Sequence, residues 1–163
     1  VFSLAKVNPI LPLNSNRESE IITLENAWKR YKKGEKLFIK SLEIKAMPES
    51  FVIDAFRESY ILSLDSSMLV RAYQAFSSRI LSEWRFYIYR HQIEDAKNYS
   101  GRIDTIPDFL YVKKVIEETC KPHKFPIAYT IDIAILENQE NVVVEFNDMW
   151  SIGNYGVHPM RYT

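Results

Sequence analysis

Near the end of the chain two apolar runs, AYTIDIAIL (Ala128–Leu136) and VVVEF (Val142–Phe146), stand either side of the polar break Glu137–Asn141. Runs of this length, rich in β-branched residues and separated by a short break, predict an antiparallel hairpin. Three acid or amide side chains interrupt the pattern: Asp132 between Ile131 and Ile133, and Glu145 and Asn147 on either side of Phe146. Successive side chains on a strand point to opposite faces, so Glu145 and Asn147 share one face and Phe146 takes the other. A two-residue turn at Asn138-Gln139 places Asp132 opposite Glu145, and Thr130 opposite Asn147. A four-residue loop, Asn138 to Asn141, pairs Asp132 with Asn147 on that same face. An odd loop keeps the arrangement only with a bulge.

The hairpin contains no basic residue, so two carboxylates and an amide on one face repel unless a cation sits between them. A set of oxygen donors suits Mg²⁺, which keeps several waters and completes its shell with phosphate oxygens. The same residues also fit a hairpin with a solvated face and one poorly placed aspartate. Elsewhere the composition is balanced: 163 residues with 21 basic and 21 acidic side chains carry no net charge, against a generally basic nucleic-acid binder. One cysteine, Cys120, excludes an internal disulfide and fits a reducing compartment. Without a long apolar run or a secretory pattern, a cytoplasmic location is expected. The chain begins on Val1 rather than Met, so a preceding portion is expected.

The remaining elements follow from periodicity. Ser15-Asn16-Arg17-Glu18 has capping-box spacing, and Ile21, Leu24, Trp28 and Tyr31 recur at helical intervals before Gly34, predicting one helix. LFIKS (37–41), SFVIDAF (50–56) and the apolar run MLVRAYQAF (68–76) read as strands or strand-like segments. Arg85–Tyr89 and Ile93–Tyr99 form a hairpin around His91-Gln92, and Pro107 opens a helix through Thr119. The fold class is α+β, with strands in the majority.

An Asp followed by Glu-x-Asn at the end of an antiparallel pair resembles the magnesium signature of the ATP-grasp enzymes. The fuller string EFNDMWSIGNYG is similar to the clade of that family named for two arginines and a lysine. The resemblance implies two small α+β lobes of mostly antiparallel sheet clamping a nucleotide. It divides the chain into an arm and helix at 1–36 and an ATP-grasp domain at 37–163, with a smaller lobe near 37–72 and a larger one near 76–163. It implies ATP and Mg²⁺ as cofactors, with Asp132, Glu145 and Asn147 holding the metal, while Gly153 and Gly156 let the next loop approach the acceptor.

Further residues follow from the same resemblance. Lys40 of FIKS is similar to the FxKP lysine that contacts nucleotide phosphate, with Ser41 in place of the proline, and its sharing a face with Phe38 and Leu42 points it inward. Lys45 lies where the family's loop covers the phosphates, although LEIKAMPE lacks glycine. Arg85 resembles the arginine that reaches the transferred phosphate, and Lys97 on the paired strand shares that face as a second catalytic cation. Tyr73, Gln74 and Ala75 fall where backbone groups meet adenine. Glu83 is grouped with the nucleotide-binding residues and is equally an ordinary ion-pair partner for Arg85.

The implied activity is an ATP- and Mg²⁺-dependent carboxylate–amine ligase working through an acyl-phosphate, with small-molecule or peptide substrates. The alternatives are a nucleotide-binding module without ligase activity and an RNA-binding or interaction domain. In WRFYIYR alternation puts Trp84, Phe86 and Ile88 on one face and Arg85, Tyr87 and Tyr89 on the other, which a half-buried strand also shows, so nucleic acid is not the expected partner. Cys120 and His123 lack a third, orienting group for nucleophilic catalysis. His91, His123 and His158 lack metal-ligand spacing.

Overall fold

The computed structural model describes residues 19–42, 50–76, 78–121 and 125–149. They fall into two compact units, within Arg17–Ser77 and Ser78–Thr163. Each carries one four-stranded antiparallel sheet.

The first unit runs β1 (Ser19–Thr23), α1 (Leu24–Lys32), β2 (Leu37–Ser41), β3 (Phe51–Val52), α2 (Glu58–Ser63) and β4 (Leu69–Gln74), with sheet order β1-β4-β2-β3. The helix expected from the Ser15 region is a strand followed by a shorter helix. Thr23 caps α1 by accepting from Asn26 N at 3.2 Å, and Ile21 lies in β1 opposite Arg71. Residues 15–18 are outside the described set. Because β1 pairs with β4, the expected division at 36/37 falls inside this unit. The strand expected over 50–56 stops at Val52, since Asp54 Oδ1 accepts from Arg57 N at 3.0 Å and caps a 3-10 turn instead. Leu24, Leu37, Ile39, Ile61, Val70 and Ala72 are buried in its core.

The second unit runs β5 (Ile80–Tyr89), β6 (Gln92–Gly101), α3 (Phe109–Val115), a π-helical stretch (Ile116–Cys120), β7 (Ala128–Leu136) and β8 (Asn141–Asp148), in the order β6-β5-β7-β8. The β5–β6 turn is centred one residue before the expected position. Arg90 and His91 both take positive φ, 48° and 60°, as a two-residue hairpin turn requires. Asp108 caps α3, accepting from Leu110 N at 2.8 Å. Phe86, Ile88, Ile131, Ile133 and Val143 pack with Val112 and Val115 of α3. That leaves the opposite face of the sheet to the polar residues of the same strands.

Gly101 ends β6 at φ +74°, where a Cβ would lie 2.1 Å from the Leu81 carbonyl oxygen. Gly101→Ala is expected to cost about 1–3 kcal/mol from the backbone conformation alone, with the overlap adding to it. Chemical denaturation measures the loss, and an unchanged midpoint would show that the strand end adapts.

Candidate functional site

The β7–β8 loop is odd. Leu136 N donates to Glu140 O at 2.9 Å, leaving Glu137, Asn138 and Gln139 between them, with Gln139 at φ 67°. The register shift comes farther along: Ile133 pairs with Val143 but Asp132 with Glu145, so Val144 is a bulge. The extra residue lets Val143 and Phe146 both enter the core while Glu145 and Asn147 face the other side. Asp132 therefore lies opposite Glu145, and Thr130 opposite Asn147, as the two-residue turn predicted but by an odd loop and a bulge together.

β5 and β6 extend this pair into a row across the whole sheet. Lys97 pairs with Arg85, Arg85 with Asp132, and Asp132 with Glu145. The cation demanded by the hairpin's carboxylates thus comes first from the neighbouring strand. Arg85 Nε donates to Asp132 Oδ1 and Nη2 to Oδ2, both at 2.7 Å, a bidentate fork between side chains only 8% and 1% exposed. Nη2 is also 4.0 Å from Glu145 Oε1, and Asn147 Nδ2 donates to that oxygen at 3.0 Å. Burial pushes Asp132 up to about 6, with the Arg85 hydrogen bonds and charge pulling down and Glu145 and Glu83 adding to the rise.

The ordinary Arg85–Glu83 pair considered from sequence is not the contact formed. Glu83 Oε2 accepts instead from Tyr99 Oη at 2.7 Å, and that phenolic oxygen is 3.4 Å from Asp132 Oδ2. The Tyr99 ring centroid lies 5.4 Å from Arg85 Cζ. Sequence reading missed Tyr99, although alternation from Lys97 places it on this same face. Lys97 shares the row and pairs along its own strand with Asp95 at 3.4 Å.

On the first unit, Lys40 shares Phe38's face, 5.9 Å from that ring, but this is the side opposite the buried Leu37 and Ile39. It is directed away from the unit's core rather than into it. Arg71 lies opposite Lys40 in the register, a second cation that alternation along LVRAYQ could have identified. Tyr73 pairs with Phe38 and Gln74 with Leu37, whereas Ala75 N donates to Lys36 O at 2.9 Å, so this amide is already engaged within the sheet. Lys45, His123, Gly153, Gly156 and His158 lie outside the described residues. Cys120 is wholly buried, and burial pushes its thiol up to about 12, which removes it as a nucleophile near neutrality.

Among the described residues no three carboxylate, imidazole or thiolate side chains gather as metal ligands. The donor set here is two carboxylates and one amide. It is all oxygen and incomplete, which fits an ion that keeps waters and takes phosphate oxygens. Thr130 Oγ1, on the same strand face as Asp132, is buried without a hydrogen-bond partner. An orphan hydroxyl beside two acids is a group that ion-bound water can satisfy. The residues therefore fit Mg²⁺.

The sequence and the fold both have counterparts among known proteins. The model for the ATP-grasp domain, family 2 of the clade named for two arginines and a lysine, matches residues 15–163. The chain belongs to the ATP-grasp family. Its two four-stranded antiparallel sheets, with their helices, are the ATP-grasp α+β fold. N5-carboxyaminoimidazole synthetase from Staphylococcus aureus, solved with ADP, aligns at TM-score 0.63 and 11% identity over 93% of this chain and 44% of that one. The macrocyclase MdnC from Microcystis aeruginosa MRC, bound with precursor peptide MdnA, gives 0.58 and 15% over 90% and 53%. The ATP-grasp ligase PsnB with minimal precursor, Mg and ADP gives 0.58 and 17% over 88% and 48%. The chain spans about half the length of these proteins, and at such identities the likeness is one of fold. No curated protein matches it in sequence. No helix of the described residues is long and apolar enough to cross a membrane.

Proposed function

We propose that this ATP-grasp domain is an ATP- and Mg²⁺-dependent ligase that joins a carboxylate to an amine through an acyl-phosphate. The observation that carries the reading is the row Lys97–Arg85–Asp132–Glu145 on one sheet face, with Asn147 beside it. Asp132, Glu145 and Asn147 are the residues that would hold the metal. Bound there, Mg²⁺ would neutralise charge on the triphosphate oxygens. In the reaction a substrate carboxylate oxygen attacks the terminal phosphorus and ADP leaves. The amine nitrogen then attacks the acyl carbon, losing a proton as inorganic phosphate departs. Arg85 is assigned to the phosphoryl oxygens during both steps, because a planar guanidinium grips phosphate bidentately. Lys97 adds positive charge on the same face.

Lys40 is assigned to phosphate, Lys45 to the loop over the phosphates, Tyr73 and Gln74 to the base, and Glu83 to the nucleotide side. These assignments rest on family resemblance. Ala75 N–H is withdrawn from the base-binding set, since Lys36 O already accepts from it. Small-molecule or peptide substrates are proposed, peptides being what PsnB and MdnC were solved with.

ADP release by the full-length protein with Mg²⁺-ATP and pooled amino acids and peptides tests the reading. Release that requires both an added carboxylate and an amine is expected. Nucleotide binding without any acceptor-dependent release would assign the domain as a binding module instead.

A further inference from the structure

We propose that Tyr99 is a positioning residue that holds Arg85 on Asp132, so that capture of a divalent ion by Asp132 and Glu145 becomes conditional on nucleotide phosphate. The inference rests on the metal–phosphate reading of the row. Tyr99 reaches the row by alternation, two residues beyond Lys97 on the same face of β6. Glu83 pairs with Ser100 and Trp84 with Asn98, which leaves Tyr99 as the extra residue of a bulge on β6. Asn98 braces that bulge, its Nδ2 lying 3.2 Å from Glu83 O, 2.9 Å from Ser100 O and 3.0 Å from Ser82 Oγ. The bulge interrupts the pairing at Tyr99, while its side chain stays on the face of Lys97 and reaches Glu83.

The Tyr99 ring acts on Arg85 in two ways. Its face backs the guanidinium, with Cζ 5.4 Å from the centroid. Its hydroxyl donates to Glu83, the carboxylate two residues along Arg85's own strand face, which would otherwise compete with Asp132 for the guanidinium. Among the described residues, the other charges on this face include Glu145, 4.0 Å from Arg85 Nη2, and Lys97 with its partner Asp95.

With the fork closed, a positive charge stands at the acids an incoming cation must approach, and like charges repel in this low-dielectric position. A triphosphate offers the guanidinium a competing bidentate partner and draws it from Asp132. Binding of nucleotide and of metal then favour each other, and linkage requires the coupling to be equal in both directions.

Direct Mn²⁺ binding, read by electron paramagnetic resonance with and without the β,γ-imido analogue of ATP, tests this without turnover. The native protein is expected to bind Mn²⁺ about tenfold or more tightly with the analogue than without it. Tyr99→Phe keeps the ring but frees Glu83. Its affinity for Mn²⁺ alone should rise several-fold, and the analogue's enhancement should shrink by the same factor. A side chain with only a structural role would not move that coupling. Arg85→Gln should also shrink the analogue's enhancement, and Glu145→Gln should lose Mn²⁺ in both conditions. If Tyr99→Phe leaves both affinities at native values while Glu145→Gln abolishes binding, the role of Tyr99 is overturned and the metal site stands. If Glu145→Gln also binds Mn²⁺ normally, the metal reading itself is wrong. Removing one phenolic oxygen leaves the fold's core untouched, so Tyr99→Phe decides the question even if Arg85→Gln does not fold.

Discussion

Arg85→Ala is expected to lower the free energy of unfolding by about 3–5 kcal/mol at pH 7, the loss typical when one partner of a buried ion pair is removed. Asp132 is 1% exposed and accepts from Arg85 through both oxygens, so truncation strands a carboxylate inside the sheet. The pH dependence has a definite sign. Asp132 already sits at about 6, above the ordinary aspartate value of 3.8, and losing the guanidinium raises it further. Stability that depends on a carboxylate staying neutral is present at low pH and is lost as pH rises through the folded-state value. The variant's deficit should therefore be smaller at pH 5 than at pH 8. Replacing both members by apolar residues, Arg85→Met with Asp132→Leu, should recover most of the loss, because no buried charge then remains. Urea denaturation of the two singles and the double closes the cycle. A single variant of native stability would mean that water reaches Asp132 and that the fork contributes little.

Glu145→Gln carries the second large effect, and on binding rather than on folding. Its side chain is 27% exposed, so neutralising it strands no charge in the core. If Glu145 and Asp132 together hold the metal, the amide removes one of the two anionic donors. Even outer-shell partners of metal ligands cost about 10–100-fold in metal affinity when removed, and a ligand should cost at least as much. Calorimetry should show ATP binding the variant with or without Mg²⁺ at nearly the same affinity. The native protein should gain strongly from the metal. A variant that keeps the full magnesium gain while its melting temperature is unchanged would remove Glu145 from the site.

That Asp132, Glu145 and Asn147 share a face was legible in the sequence, because strand alternation and apolar neighbours leave few alternatives. The route was not legible: an odd loop and a bulge at Val144 reach the register that an even turn would have produced. Bulges have no strong local signature, since any residue can be the extra one once neighbouring strands fix the pairing. The face of Tyr99 was legible from Lys97 two residues away, whereas its partners Glu83 and Asp132 were not. The helix expected from Ser15 failed for a related reason, because Ile21 fits a helical period and also fits a strand that only pairing with Arg71 of β4 stabilises.

Alternating apolar and polar residues determined by themselves that the last two runs form a strand pair with an acidic face, and the string ending EFNDMWSIGNYG carried the family resemblance. Tertiary structure alone decided which cation answers those acids. Asp132 and Arg85 are separated by 47 positions in the chain, and only the antiparallel packing of β5 on β7 makes them neighbours. Local pattern reports what a side chain is and which way it points. The partner that makes a buried charge tolerable is set by strand order, which depends on contacts far apart in sequence.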